Sequence, residues 1–227
     1  MRNKTVIPEN KLDSQSLPGK AADFIRAQII QGVFEQGARL VEEELSESLG
    51  VSRACIREAL LCLETEGLVK RERNRYTEVI KLDGKDIEEI FSLRTALEVL
   101  SAQTCILKRT VPFERLNRCL NEISRLAESD QKNFIKRIEA DLDFHETIVV
   151  SSGNTRVINI WKSIKSQMLT AFYSIPRRHL QYFDLHSIEN HIRIIKAFEK
   201  NDLNEVASLL QEHVKVTSDY LIGDVGG

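Results

Sequence analysis

The feature that most constrains this chain is a three-residue interruption, Gly50-Val51-Ser52, between two short apolar-periodic segments that lead into a basic hairpin pattern. Upstream, Leu40, Leu45 and Leu49 keep one side of a short helix apolar, while Glu42, Glu43, Glu44, Glu47 and Ser48 are expected to stay in water. Gly50 suits the left-handed conformation that ends a helix, and Ser52 is placed to accept a hydrogen bond from the first free amides of the next. That second helix begins at Arg53. Ile56, Leu60 and Leu63 fall on its packed side, and Arg53, Ala54 and Arg57 on the side nearest its amino end. Gly67 ends it, Leu68 and Val69 lead into Lys70-Arg71-Glu72-Arg73-Asn74-Arg75, and Thr77-Glu78-Val79-Ile80 returns as a strand. Helix, tight turn, helix and two-stranded basic hairpin are the order of a winged helix-turn-helix.

Such a unit predicts binding to double-stranded DNA. Arg53 and Arg57 can reach guanine edges bidentately or clamp phosphate, and the free amides at Ser52 and Ala54 add a phosphate site at the helix start. Arg73 and Arg75, near the wing tip, would straddle the backbone or enter the minor groove. Helix-turn-helix look-alikes occur in enzymes, but here turn, arginines and wing coincide. The formal net charge of −2 over 227 residues conceals this basic cluster, because glutamates elsewhere offset it. The polar start from Met1 to Ser16 lacks the apolar core of a signal peptide, and no apolar run approaches a membrane span, so a cytoplasmic protein without a membrane partner is expected. Cys55, Cys62, Cys105 and Cys119 are scattered without metal or disulfide spacing and read as reduced thiols.

The whole is expected to be mainly α. Residues 1–18 form a polar tail, 19–82 the winged helix-turn-helix, with an additional helix from Lys20 to about Gln31, 83–222 an all-helical domain, and 223–227 a short tail. In the helical domain apolar residues recur at three and four, as in Ile87, Ile90, Phe91, Leu93, Leu97 and Leu100. Breaks near Thr110-Val111-Pro112, Glu128-Ser129-Asp130, Ser151-Ser152-Gly153-Asn154 and Ser174-Ile175-Pro176 divide it into six or seven antiparallel helices.

Within this domain Asp141 and His145 stand four apart, so their side chains leave one helix face a turn from each other. His191 and His213 lie at similar distances on either side of the Lys200-Asn201-Asp202 turn, which would bring two imidazoles face to face on antiparallel helices. Three imidazoles and a carboxylate suit a divalent transition metal, zinc first, with nickel, iron or manganese as alternatives. Each residue taken alone has a bland reading as a hydrogen-bonded surface or core group. Asp143 should point to another helix face, and His186 is the alternative donor if the last helices are in a different register.

Leu40, Glu42, Leu45, the Leu49-Gly50-Val51-Ser52-Arg53 turn, Ile56-Arg57-Glu58-Ala59-Leu60, Leu63 and Glu66-Gly67-Leu68-Val69 resemble the GntR family of bacterial transcription regulators. In that family the arginines matching Arg53 and Arg57 contact the operator. Ala54 and Cys55 stand where Thr-Pro is frequent, and Tyr76 where the wing usually has glycine, so Tyr76 would stack on sugar or pack beneath the wing. The stretch from Asp141 to His145, then Ser152-Gly153-Asn154, His191-Ile192, Ala197-Phe198, Asp202, Ala207 and His213, with Arg94 and Glu98 upstream, is similar to the FCD effector domain of the FadR subfamily. The resemblance implies Asp141, His145, His191 and His213 as metal ligands. It further implies a small carboxylate effector reaching the metal, Arg94 and Asn154, a homodimer on a two-fold operator, and ligand-controlled repression or activation. Two rivals remain at this point: a regulator whose metal is structural or absent, and a metal-dependent enzyme, for which no HExxH-type element supplies a general base.

Overall fold

The structure, a computed structural model, describes residues 17–72, 76–127, 134–173 and 187–225. The first unit comprises α1 (Leu17–Ile30), β1 (Arg39–Leu40), α2 (Glu42–Leu49), α3 (Arg53–Thr65), β2 (Val69–Glu72) and β3 (Tyr76–Val79). Gly50 adopts φ 64, ψ 31 and closes α2 through its amide, and the Ser52 hydroxyl accepts from the Cys55 amide at 3.2 Å to open α3. Ile56, Ala59, Leu60 and Leu63 are fully buried against Ala22, Ile25 and Ile29 of α1.

Leu40 is a correction to the sequence reading. It lies in β1, which pairs antiparallel with β3 and makes a three-stranded sheet of order β1-β3-β2, so α2 begins only at Glu42. Leu40 still faces the core, at 4 % exposure. Its apolar spacing was therefore compatible with either element, and only a long-range strand pairing decided between them.

The second unit contains α4 (Gly84–Lys108), α5 (Phe113–Ala127), α6 (Phe134–Ser151), α7 (Thr155–Tyr173), α8 (Ser187–Glu199) and α9 (Leu203–Val225). Six helices among the described residues agree with the expected six or seven. The Leu82-Asp83-Gly84 segment that follows the wing caps α4: Asp83 accepts from the Lys85 and Asp86 amides, and Asp86 accepts in return from the Asp83 amide. The α8–α9 turn places Asn201 at φ 55, which makes the two helices antiparallel neighbours.

By length and composition α4 is apolar enough to cross a membrane, against the expectation that no such run exists. Its setting accounts for that apolarity: α4 packs on α6, α7 and α9, and its fully buried positions include Arg94 and Glu98. Helix α6 supplies Ile138, Leu142 and Val149 to one apolar cluster and Ala140, Phe144 and Ile148 to another, while Asp141 and His145 occupy a third, polar and equally buried aspect.

The two units touch. Helix α1 packs against α7, and Gln167 of α7 donates to the Glu66 carbonyl at the end of α3, at 2.8 Å. Gly67 stands there at φ 70, and a Cβ on it would come within 2.5 Å of the Gln167 amide nitrogen. Arg26 of α1 forks the Glu66 carboxylate at 2.6 and 2.7 Å.

Candidate DNA interface and candidate metal centre

Ser52, Arg53, Ala54 and Arg57 all lie exposed at the amino end of α3, on the face opposite its buried residues. Arg73 and Arg75 lie outside the described residues, as do His179 and His186. The acids of α2 are not simply solvated, as the sequence reading held. Arg57 donates from Nε to Glu42 at 2.7 Å, Arg53 pairs with Glu43, and Arg71 of β2 has Nη2 3.9 Å from the second oxygen of Glu42. Spacing along the chain could not disclose these pairs, because they join two helices and a strand across the turn. Tyr76 packs under the Arg39 guanidinium, 4.1 Å above its ring. The Cys55 thiol is buried, and burial pushes its pKa up, which keeps it a protonated packing group.

In the bundle, Asp141, His145, His191 and His213 converge from α6, α8 and α9, with one potential ligand atom from each lying within 4.8 Å of all the others. All four are buried, none more than 6 % exposed. From Asp141 Oδ1, His191 Nε2 is 3.2 Å and His213 Nε2 is 3.5 Å away, and His145 Nε2 is 3.9 Å from Oδ2. Three Nε2 atoms thus surround one carboxylate. Phe144 holds the rings in place, its own centroid 4.4 Å from that of His191 and 5.4 Å from that of His145, both edge-on.

Glu98, which the sequence pattern marked only as part of the FCD resemblance, organises the centre. Its two oxygens take Arg94 Nε at 2.7 Å and His145 Nδ1 at 2.6 Å. With Nδ1–H donated to a carboxylate, Nε2 of His145 becomes the lone-pair side, and that atom is buried with no hydrogen-bond partner. Burial works to raise the Glu98 carboxyl, but the charges and hydrogen bonds of His145 and Arg94 outweigh it and draw the pKa down to about 2. Burial also opposes ionisation of Asp141, yet hydrogen bonds from His191 and His213 hold it well below the ordinary carboxylate value. Burial lowers both His145 and His213, the latter to about 4, so these rings favour the neutral form that ligation requires. The donor set therefore fits a divalent cation: one anionic oxygen, neutral nitrogens, a fixed tautomer and a shielded location.

Arg94 itself is fully buried, with Nη1 and Nη2 lacking hydrogen bonds and Nη2 lying 3.7 Å from Asp141. Asn154 stands apart in character: it is exposed, and its side-chain oxygen accepts from the Arg156 and Val157 amides at the start of α7. Asp143 points away from the cluster, as expected, to an ion pair with Lys165.

A winged helix-turn-helix joined to a helical bundle with a buried histidine–carboxylate centre is the architecture of a transcription regulator that carries a second, all-helical domain. Residues 18–79 match the gntR family of bacterial regulatory proteins and residues 89–216 match the FCD domain, and the chain belongs to the GntR family, with the FadR-like FCD architecture. It is 32 % identical over 220 residues to the gluconate operon transcriptional repressor of Bacillus licheniformis, covering 91 % of this chain and 85 % of that protein. It is 30 % identical to the protein of the same name in Bacillus subtilis strain 168, with 86 % and 81 % covered. A GntR transcriptional regulator from Rhodococcus sp. RHA1 superposes with a TM-score of 0.76 at 22 % identity, over 92 % of this chain and 99 % of that one, which shows a shared fold. The protein is thus a DNA-binding transcription regulator, and the enzyme alternative falls.

Proposed function

We propose that this chain is a homodimeric, cytoplasmic repressor whose DNA affinity is set by a small carboxylate bound beside a divalent transition metal. Zinc is the first choice, with nickel, iron or manganese as alternatives. The reading is carried by the four buried donors of Asp141, His145, His191 and His213 meeting at one point under the guanidinium of Arg94. Charge supports it. With neutral imidazoles, Arg94 is outnumbered by the carboxylates of Glu98 and Asp141, leaving one net negative charge among buried groups. A divalent cation held by the four side chains would reverse that sign, and one anionic carboxylate would then neutralise the centre. The cation would supply Lewis-acid affinity for the carboxylate, and Arg94 has buried Nη groups without hydrogen-bond partners to orient it.

The names of the Bacillus relatives, both gluconate operon repressors, point to sugar acids as the effector class. Effector and operator would be linked reciprocally, each lowering the affinity for the other by the same factor. A second copy is required because one recognition helix reads too few base pairs for selectivity. Leu93, Leu100 and Leu107 of α4 are exposed at seven-residue spacing, an apolar stripe that drifts by only about 20° per heptad and is suited to a two-fold contact. Leu100→Glu should turn a dimer into a monomer in analytical ultracentrifugation.

The principal test is metal content by mass spectrometry for the wild type and for a His191→Ala, His213→Ala double variant, purified without chelators. About one ion per chain is expected in the wild type and none in the variant. Gluconate should then weaken operator binding only by the loaded protein. Metal-free wild type would sink the centre. A loaded protein deaf to every carboxylate would leave the metal a purely structural role.

A further inference from the structure

We propose that Glu42 is the positioning residue that sets DNA specificity: its carboxylate aims the Arg57 guanidinium and ties it to the wing. The proposal rests on the reading of Arg57 as a base-contacting residue. A carboxylate beside a phosphate-binding surface is electrostatically unfavourable, since it repels DNA at short range. An exposed ion pair also adds little to fold stability, so stability does not account for Glu42.

Geometry offers another role. Arg57 is engaged through Nε, at 2.7 Å, and among the described residues its Nη1 and Nη2 carry no partner. Anchoring that side of the guanidinium leaves the paired Nη edge free, and that edge matches O6 and N7 of guanine. The anchor is sheltered while the reader is not: the Glu42 side chain is 26 % exposed and that of Arg57 59 %. The other Glu42 oxygen faces Arg71 of β2, so one carboxylate links the recognition helix to the wing strand. Arg57 is thereby held in one orientation before DNA arrives, and the ordering cost of a long side chain falls.

The test uses the full chain, a duplex enriched by it from a random pool, and a scrambled duplex of equal length. Glu44, exposed on the same helix and with no ion pair among the described residues, supplies the charge control. Glu44→Gln should tighten both duplexes alike. Glu42→Gln should tighten the scrambled duplex but weaken the enriched one, so that the specificity ratio falls roughly ten-fold or more, the scale of one bidentate base contact. Arg57→Ala should lower the ratio similarly, and adding Glu42→Gln to it should lower it no further. Glu42→Gln behaving like Glu44→Gln while Arg57→Ala loses specificity would overturn the positioning role and leave Arg57 a reader. An unchanged ratio in Arg57→Ala would overturn both. Retained binding to the scrambled duplex shows that each variant is folded.

Discussion

Two arginine–glutamate pairs in this molecule share the same Nε–oxygen distance, 2.7 Å, and live in opposite surroundings. Arg57 and Glu42 sit at the surface of the DNA-binding unit, whereas Arg94 and Glu98 are fully buried in the bundle. An equal contact distance therefore carries different physics. In water the attraction is screened and nearly offset by hydration and side-chain entropy, so the exposed pair adds little to stability and leaves the Nη edge of Arg57 open to DNA. In the interior neither charge has water to return to, so the buried pair is a fixed part of the architecture and orients His145 as well. One unit keeps its charges available, and the other confines them around a site.

Breaking the buried pair should produce the largest effect. Glu98→Ala strands Arg94 and releases His145, and should destabilise the bundle by about 3–5 kcal/mol, the usual cost of removing one member of a buried pair. Trp161, the single tryptophan and fully buried in α7, reports that unfolding by fluorescence in a urea titration. A loss below about 1 kcal/mol would mean that the two environments do not differ as described.

Acid should separate the two units next. His213 is held by burial at about 4 against an ordinary 6.5, so between those values the unfolded chain binds more protons than the folded one. Stability of the metal-free bundle should therefore fall as pH drops from about 6.5 toward 4. Glu98, depressed from 4.5 to about 2, contributes stability that is present above 4.5 and lost as pH falls through 2. None of the five histidines precedes residue 145, so the DNA-binding unit has no counterpart to the first step. Trp161 fluorescence and hydrogen exchange in α3, followed across this range, would show whether only the bundle responds. The smallest effect belongs to the exposed pair: Glu42→Gln should change the urea stability of the DNA-binding unit by less than about 1 kcal/mol, whatever it does to specificity.

Legibility from sequence divides along local and non-local lines. Gly50 and Ser52 were readable because a left-handed helix end and a hydroxyl cap are decided within four residues. Asp141 and His145 were readable because helical periodicity alone puts them on one face, and His191 and His213 because a tight turn reflects one helix onto the other. Strand β1 was not, since two residues carry no periodicity and their pairing partner lies nearly forty positions away. The Glu42–Arg57 and Glu98–His145 contacts were equally hidden. In a chain rich in charged residues, spacing does not say which acid meets which base, or whether they meet in water.

What the chain determines by itself is the inventory: a turn that must reverse, faces that must be buried, four donors with ligand chemistry, and arginines at the start of a helix. Packing decided their environment. The same carboxylate type became a sheltered anchor at position 42 and a tautomer-setting counter-ion at position 98, because dielectric surroundings arise from the elements packed around a residue and not from its neighbours in sequence.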